Sequence, residues 1–135
     1  MENLVTRSGS DSSKSTGTDG ALGDWMQTLI AYVRSARPDL TNRQMALLML
    51  VYLTPGPHTV RGLAASLSVS KPVITRALNT LGAFGYIRRQ KDESDLRNIF
   101  VERTDSGHEF LRAFESLIDS SNDGDFDGAG FGRNN

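Results

Sequence analysis

The chain has 135 residues, of which 38% are hydrophobic and 23% charged, enough for one domain around a single core. It contains no cysteine, which excludes a disulfide framework, a thiolate metal site and a cysteine redox switch. The formal net charge of −1 hides an uneven distribution: residues 1–20 carry −1, 119–135 carry −3 and 21–118 carry +3, and within 54–103 eight basic residues stand against four acidic ones.

Residues 1–20 are mostly Ser, Thr, Gly and Asp, too poor in apolar side chains to offset the entropy of ordering, and are expected to be a disordered tail. No basic region followed by an apolar stretch opens the chain, and the longest apolar run, 45–53, falls well short of the roughly 20 residues of a membrane span. The expectation is a cytoplasmic protein with no membrane partner.

Asp24 with Gln27 three residues on is a variant capping box, and Met26, Leu29, Ile30 and Val33 follow at helical spacing until Pro38; an amphipathic helix is expected over about 22–37. Thr41 and Gln44 form a cleaner capping box ahead of a run from Met45 to Leu53 so apolar that its helix must be buried on most sides. The segment TPGPHT breaks it, and Thr59 caps a short helix over 60–67 with Leu63, Ala64 and Leu67 inward.

The stretch SVSKPVITRALNTLGAFG then carries the main functional signal. Ser70 is a natural N-cap, and Pro72 in the first turn gives up an N–H that had no partner. Ile74, Ala77, Leu78 and Leu81 make one buried stripe, and Gly85 suits the left-handed residue that ends the helix. The opposite face presents Lys71, Pro72, Val73, Thr75, Arg76 and Asn79, a set of cations, hydroxyl, amide and small apolar groups able to meet DNA base edges. Arg76, in the middle of that face, can contact guanine through two hydrogen bonds. Ser70 and Lys71 suit phosphate or base contacts at the helix start, with Ser70 equally explained as a cap.

YIRRQK and NIFVER, separated by DESDLR, read as a β-hairpin with Ile87, Ile99 and Val101 inward. Its cations Arg88, Arg89 and Lys91 suit phosphate contact, or form a solvated strand face. Thr104 caps a last helix to about Asp119, with Phe110, Leu111, Phe114, Leu117 and Ile118 apolar, and 119–135 reads as a flexible acidic tail rich in Gly. Trp25 and Phe100 are candidate interaction residues, or ordinary packing. The fold class expected is mainly α with a small β-hairpin wing, a winged helix-turn-helix over 21–118.

In that order of elements, residues 40–111 resemble the DNA-binding core of the MarR family of bacterial transcription regulators. The most specific part is Asp95-Leu96-Arg97 followed by Val101, Thr104 and Gly107, similar to the family's D-x-R…L-T-x-x-G signature. The resemblance implies that the helix 71–84 is the recognition helix in the major groove of double-stranded DNA. It further implies that Arg97, oriented by Asp95, reaches from the wing 92–97 into the minor groove or onto the backbone, and that the protein is a homodimer through its terminal helices. Where this chain has Arg103 the family usually has Leu, and the family's terminal helices are longer.

The two histidines, His58 and His108, have no converging Asp, Glu or Cys set, and no nucleophile or phosphate-loop motif is present. No enzyme, metal or cofactor is expected. The reading is a sequence-specific DNA-binding transcription regulator in the nucleoid; the alternative is a winged-helix interaction module that docks on another regulator as its protein partner.

Overall fold

The computed structural model describes residues 20–121. The expected N-terminal and acidic C-terminal tails lie outside those residues, apart from Gly20 and 119–121, which extend the flanking helices. The element order is α1 (Gly20–Arg34), α2 (Asn42–Leu53), β1 (His58–Thr59), α3 (Val60–Leu67), α4 (Lys71–Ala83), β2 (Ile87–Lys91), β3 (Ile99–Arg103) and α5 (Asp105–Ser121). This is a mainly helical winged helix, with a central unit over 39–113 and a terminal unit made of the stretches up to Pro38 and from Phe114.

In the central unit each helix begins where its side chains satisfy the first free N–H groups. Thr41 and Gln44 form the reciprocal capping box of α2: Gln44 N donates to Thr41 Oγ1 at 3.1 Å, and Thr41 N donates to Gln44 Oε1 at 2.9 Å. Gly62 N donates to Thr59 Oγ1 at 3.0 Å to open α3, and α3 closes on Ser68 in the left-handed conformation (φ 56°). Leu47, Leu48, Val51, Leu63, Ile74, Leu78 and Leu81 are almost wholly buried, so α2, α3 and α4 share one core. Burying each such side chain contributes about 1.5–3 kcal/mol, which makes this trihelical contact the base on which α4 is held.

The sheet is larger than a hairpin. β1 adds to β3, giving the antiparallel order β1-β3-β2, with His58 opposite Val101 and Thr59 opposite Phe100. Across β2 and β3, Ile87 pairs with Arg103 and Arg89 with Val101, and Ile87 and Val101 are the buried residues.

Tyr52 ties the sheet and the last helix to α2. Its hydroxyl accepts from Thr104 N at 2.8 Å and lies within donating distance of the carbonyls of Tyr86 (2.8 Å) and Thr104 (3.0 Å). Thr104 Oγ1 accepts from Gly107 N at 3.0 Å, capping α5, and donates to Gly85 O at 2.6 Å. Gly107 has no room for a side chain, because a Cβ there would overlap the Tyr52 hydroxyl and the Tyr86 carbonyl. Arg103, where the resembled family has Leu, donates to Val51 O at 2.9 Å and Thr54 O at 3.1 Å, satisfying carbonyls at the end of α2, and its guanidinium sits 5.8 Å from the centre of the Tyr52 ring.

In the terminal unit the edge of one ring meets the face of another between Tyr32 and Phe114 (5.2 Å between centroids), and Thr28 and Ser121 share a buried hydrogen bond of 3.2 Å. α1 buries Gly23, Gln27, Thr28 and Tyr32. Its apolar stripe is on the other side: Leu22, Trp25, Met26, Leu29 and Val33 are all exposed, Leu22 and Val33 by 82% and 70%.

Candidate nucleic-acid interface

α4 is placed by its start and by its buried stripe. Ser70 adopts an extended backbone (φ −74°, ψ 159°), its hydroxyl accepts from Val73 N at 3.4 Å, and Pro72 stands in the first turn. Ile74, Ala77, Leu78 and Leu81 are the residues it buries. The helix ends at Gly85, whose φ of 81° is one that glycine adopts without strain. On the opposite side Lys71, Pro72, Arg76 and Asn79 are exposed, with Val73 and Thr75 half-buried at the flanks.

The charge around this helix is one-sided. From Leu40 to Lys91 the chain contains no Asp or Glu and seven Lys or Arg residues: Arg43, Arg61, Lys71, Arg76, Arg88, Arg89 and Lys91. A surface of this kind sets up a positive potential over α4 that the acidic ends of the chain conceal in the overall net charge.

The strand cations divide between two faces. Arg88 lies opposite Glu102 and donates to its carboxylate from Nη2 at 3.0 Å, an exposed pair of the kind worth roughly 0–1 kcal/mol, which a phosphate can displace. Arg89 has the other orientation, and its Nη2 comes within 4.0 Å of where a Cβ on Gly82 of α4 would be. The fold thus brings Arg89 to α4 and sends Arg88 to the far side of the sheet.

The wing tip is built from short-range hydrogen bonds. Asp92 Oδ1 accepts from Ser94 N at 3.0 Å and Ser94 Oγ at 2.7 Å, and Asn98 N donates to Asp95 O at 2.9 Å. Arg97 Nε and Nη2 donate to the two carboxylate oxygens of Asp95, at 3.1 and 3.2 Å, while Arg97 N donates to Asp95 Oδ1 at 3.1 Å. These bonds hold the Asp95 carboxyl below its ordinary range, the Arg97 side chain contributing most. Ser94 does the same to Asp92, chiefly through its hydroxyl. The Arg97 side chain remains 81% exposed, so it is oriented yet open to a partner.

Sequence reasoning missed three features. β1 is only two residues long and exists by pairing with β3; nothing in a Pro-Gly turn signals it. The hydroxyl of Tyr52 stands within an apolar run, which gives no hint of its partners 34 and 52 residues away. Arg43 was legible as a cation, yet its place beside α4 depends on how α2 and α4 pack. Among the described residues, no cluster of three or more His, Cys, Asp or Glu side chains could hold a metal ion, and no helix is long and apolar enough to cross a membrane.

The MarR family pattern matches residues 40–99, which run from the start of α2 through the wing into β3. Over those residues the chain is MarR-like. Among solved structures of this fold, the transcriptional regulator Tm0710 of Thermotoga maritima is 25% identical (TM-score 0.60), the match covering 71% of this chain and 67% of that one. The S. aureus MepR–DNA complex is 26% identical (TM-score 0.58), covering 72% of this chain and 74% of that one. A MepR point mutant bound to an oligodeoxyribonucleotide shares the fold more extensively, with a TM-score of 0.66 over 83% of this chain and 84% of that one, at 22% identity. No curated protein matches the sequence. The MarR-like signature has a physical reading at each position: Asp95 and Arg97 make the wing's ion pair, Thr104 caps α5, and Gly107 leaves space for Tyr52.

Proposed function

We propose that the protein is a non-enzymatic, sequence-specific transcription regulator that binds double-stranded DNA, with α4 in the major groove and the wing 92–97 in the minor groove or on the backbone. One observation carries the reading: α4 presents Lys71, Arg76 and Asn79 outward within a 40–91 stretch that has no carboxylate at all. The MarR-family match and the DNA complex of MepR support it. In this reading Arg76 reads a base, Thr75 and Asn79 donate to bases or phosphate, and Val73 or Pro72 meets a thymine methyl. Lys71, Arg88, Arg89 and Arg97 neutralise phosphates and supply most of the affinity, and the Ser70 hydroxyl donates to a phosphate.

The same reading has two copies act together. The exposed stripe Leu22, Trp25, Met26, Leu29 and Val33 on α1 is an apolar face of the size and spacing that a second copy's terminal helices would cover. That stripe also favours the second reading, in which it docks a different regulator. Selecting bound duplexes from a random pool with the purified full-length chain tests both: an enriched palindrome supports the dimeric regulator, because half-site symmetry mirrors protein symmetry. Failure to enrich any sequence, together with recovery of a single dominant protein partner, supports the interaction module.

A further inference from the structure

An open groove of about 160 Å³ runs between the first turn of α2 and one flank of α4, lined by Thr41, Arg43, Gln44, Val73, Arg76 and Thr80. Its polar lining is rich in donors. Arg43 and Arg76 are exposed and form no ion pair with any described carboxylate. Thr41 Oγ1 and Gln44 Oε1 are spent as acceptors in the capping box, which leaves the Thr41 hydroxyl proton and the Gln44 amide N–H groups to donate. With two cations, donors and no acid between positions 40 and 91, the complementary ligand is an oxyanion.

The position of the groove distinguishes a DNA phosphate from a free one. A helix about 10–12 Å across fills a major groove about 12 Å wide, so a phosphate backbone runs along each of its flanks. α4 has a cation on each flank: Arg89 beside Gly82 on one, and Arg43 across the groove from Val73 and Thr80 on the other.

Resting on the DNA-binding reading above, we infer that Arg43, with Gln44, seats a phosphodiester of the strand bordering α4 on its α2 side, while Arg76 at the groove's edge stays free to reach a base. Arg43 acts as a register clamp. It contacts no base, so its contribution is the same on every sequence, and it is lost as salt rises.

The test is fluorescence anisotropy of the full-length chain on an enriched duplex and a shuffled one, across a salt series. Arg43→Ala is expected to lower the slope of log affinity against log salt by about one and to weaken both duplexes alike, about tenfold at roughly 50 mM salt. Arg43→Gln, a good helix former, gives the same result if the alanine variant folds poorly, and Arg43→Lys retains the wild-type slope. Arg112→Ala, on α5, serves as the control with no change. Inorganic phosphate is titrated in parallel by calorimetry. Arg43-dependent phosphate binding with an unchanged DNA slope would make the groove a site for a free anion and overturn the inference, as would an unchanged slope with no phosphate binding. Wild-type protein that binds no duplex at all removes the DNA-binding reading and this inference together; wild-type binding with a silent Arg43 removes this inference alone.

Discussion

Arg97 and Asp95 form a two-point ion pair at the tip of the wing, with Nε to Oδ1 at 3.1 Å and Nη2 to Oδ2 at 3.2 Å, reinforced by the backbone N–H of Arg97 on the same carboxylate. The pair fixes the direction of an otherwise free guanidinium, so the entropy of ordering it is met before any partner arrives. Because the fold lowers the Asp95 pKa, the contribution of this pair is fully present above the ordinary carboxylate value and is lost as pH falls through the lowered one. An NMR titration of the Asp95 carboxyl is expected to give a midpoint below the ordinary aspartate value in the wild type. In Arg97→Ala the midpoint should rise only part of the way back, since the backbone N–H still donates.

Arg76 is the residue on which base preference rests in the proposed mode. Arg76→Ala is expected to cost about 1–3 kcal/mol on the preferred duplex and to flatten the difference between preferred and shuffled duplexes. Circular dichroism should be unchanged, because Arg76 is exposed and the helix is anchored by its buried stripe. Anisotropy on matched duplexes measures the loss. Equal weakening on both would move Arg76 from base reader to phosphate contact.

The Tyr52 junction predicts stability effects separate from DNA contact. Gly107→Ala introduces a methyl where the Tyr52 hydroxyl stands, and overpacking of this kind typically costs about 1–3 kcal/mol, more when backbone must also shift. Tyr52→Phe removes the acceptor for Thr104 N and should cost about 1–3 kcal/mol for the N–H left without its partner. Urea denaturation measures both losses as lowered midpoints. A Gly107→Ala variant as stable as wild type would contradict the packing described for the junction.

Arg103→Leu, the change toward the residue the family usually carries, removes two hydrogen bonds to the end of α2. About 0.5–1.5 kcal/mol for each bond, less where water can replace the donor, sets the expected loss, read by the same denaturation.

How much of this was legible in the chain depends on the range of the interactions. α4 could be read almost residue by residue, since Ser70, Pro72, the 3.6-residue stripe and Gly85 all act within one or two turns. The capping box of α2 and the Thr59 cap of α3 were legible for the same reason. α1 was legible as an amphipathic helix, but its apolar stripe does not mark what it buries: Gln27, Thr28 and Tyr32 turn inward, held by partners such as Ser121, 93 residues away from Thr28. Arg88 and Arg89 are neighbours of equal charge in sequence, and strand alternation plus Glu102 separates them. The groove between Arg43 and Arg76 joins residues 33 positions apart and had no local signal.

The α1 stripe makes a prediction about assembly. Met26→Asp with Leu29→Asp places charge where the dimer reading has apolar burial, on side chains 41% and 39% exposed in the single chain. Sedimentation velocity should show a two-copy species for wild type and a single-copy species for the variant, with the variant still folded. A wild type that sediments as one copy across the micromolar range would exclude the dimer.

Sequence reading through α4 is decided by the affinity of the chain for an enriched duplex and for its shuffled counterpart at roughly 50 and 200 mM salt. Both are expected to weaken as salt rises, with the enriched duplex bound at least about 10³-fold more tightly at the higher salt. Equal affinity for the two duplexes, or no binding even at the lower salt, would contradict it.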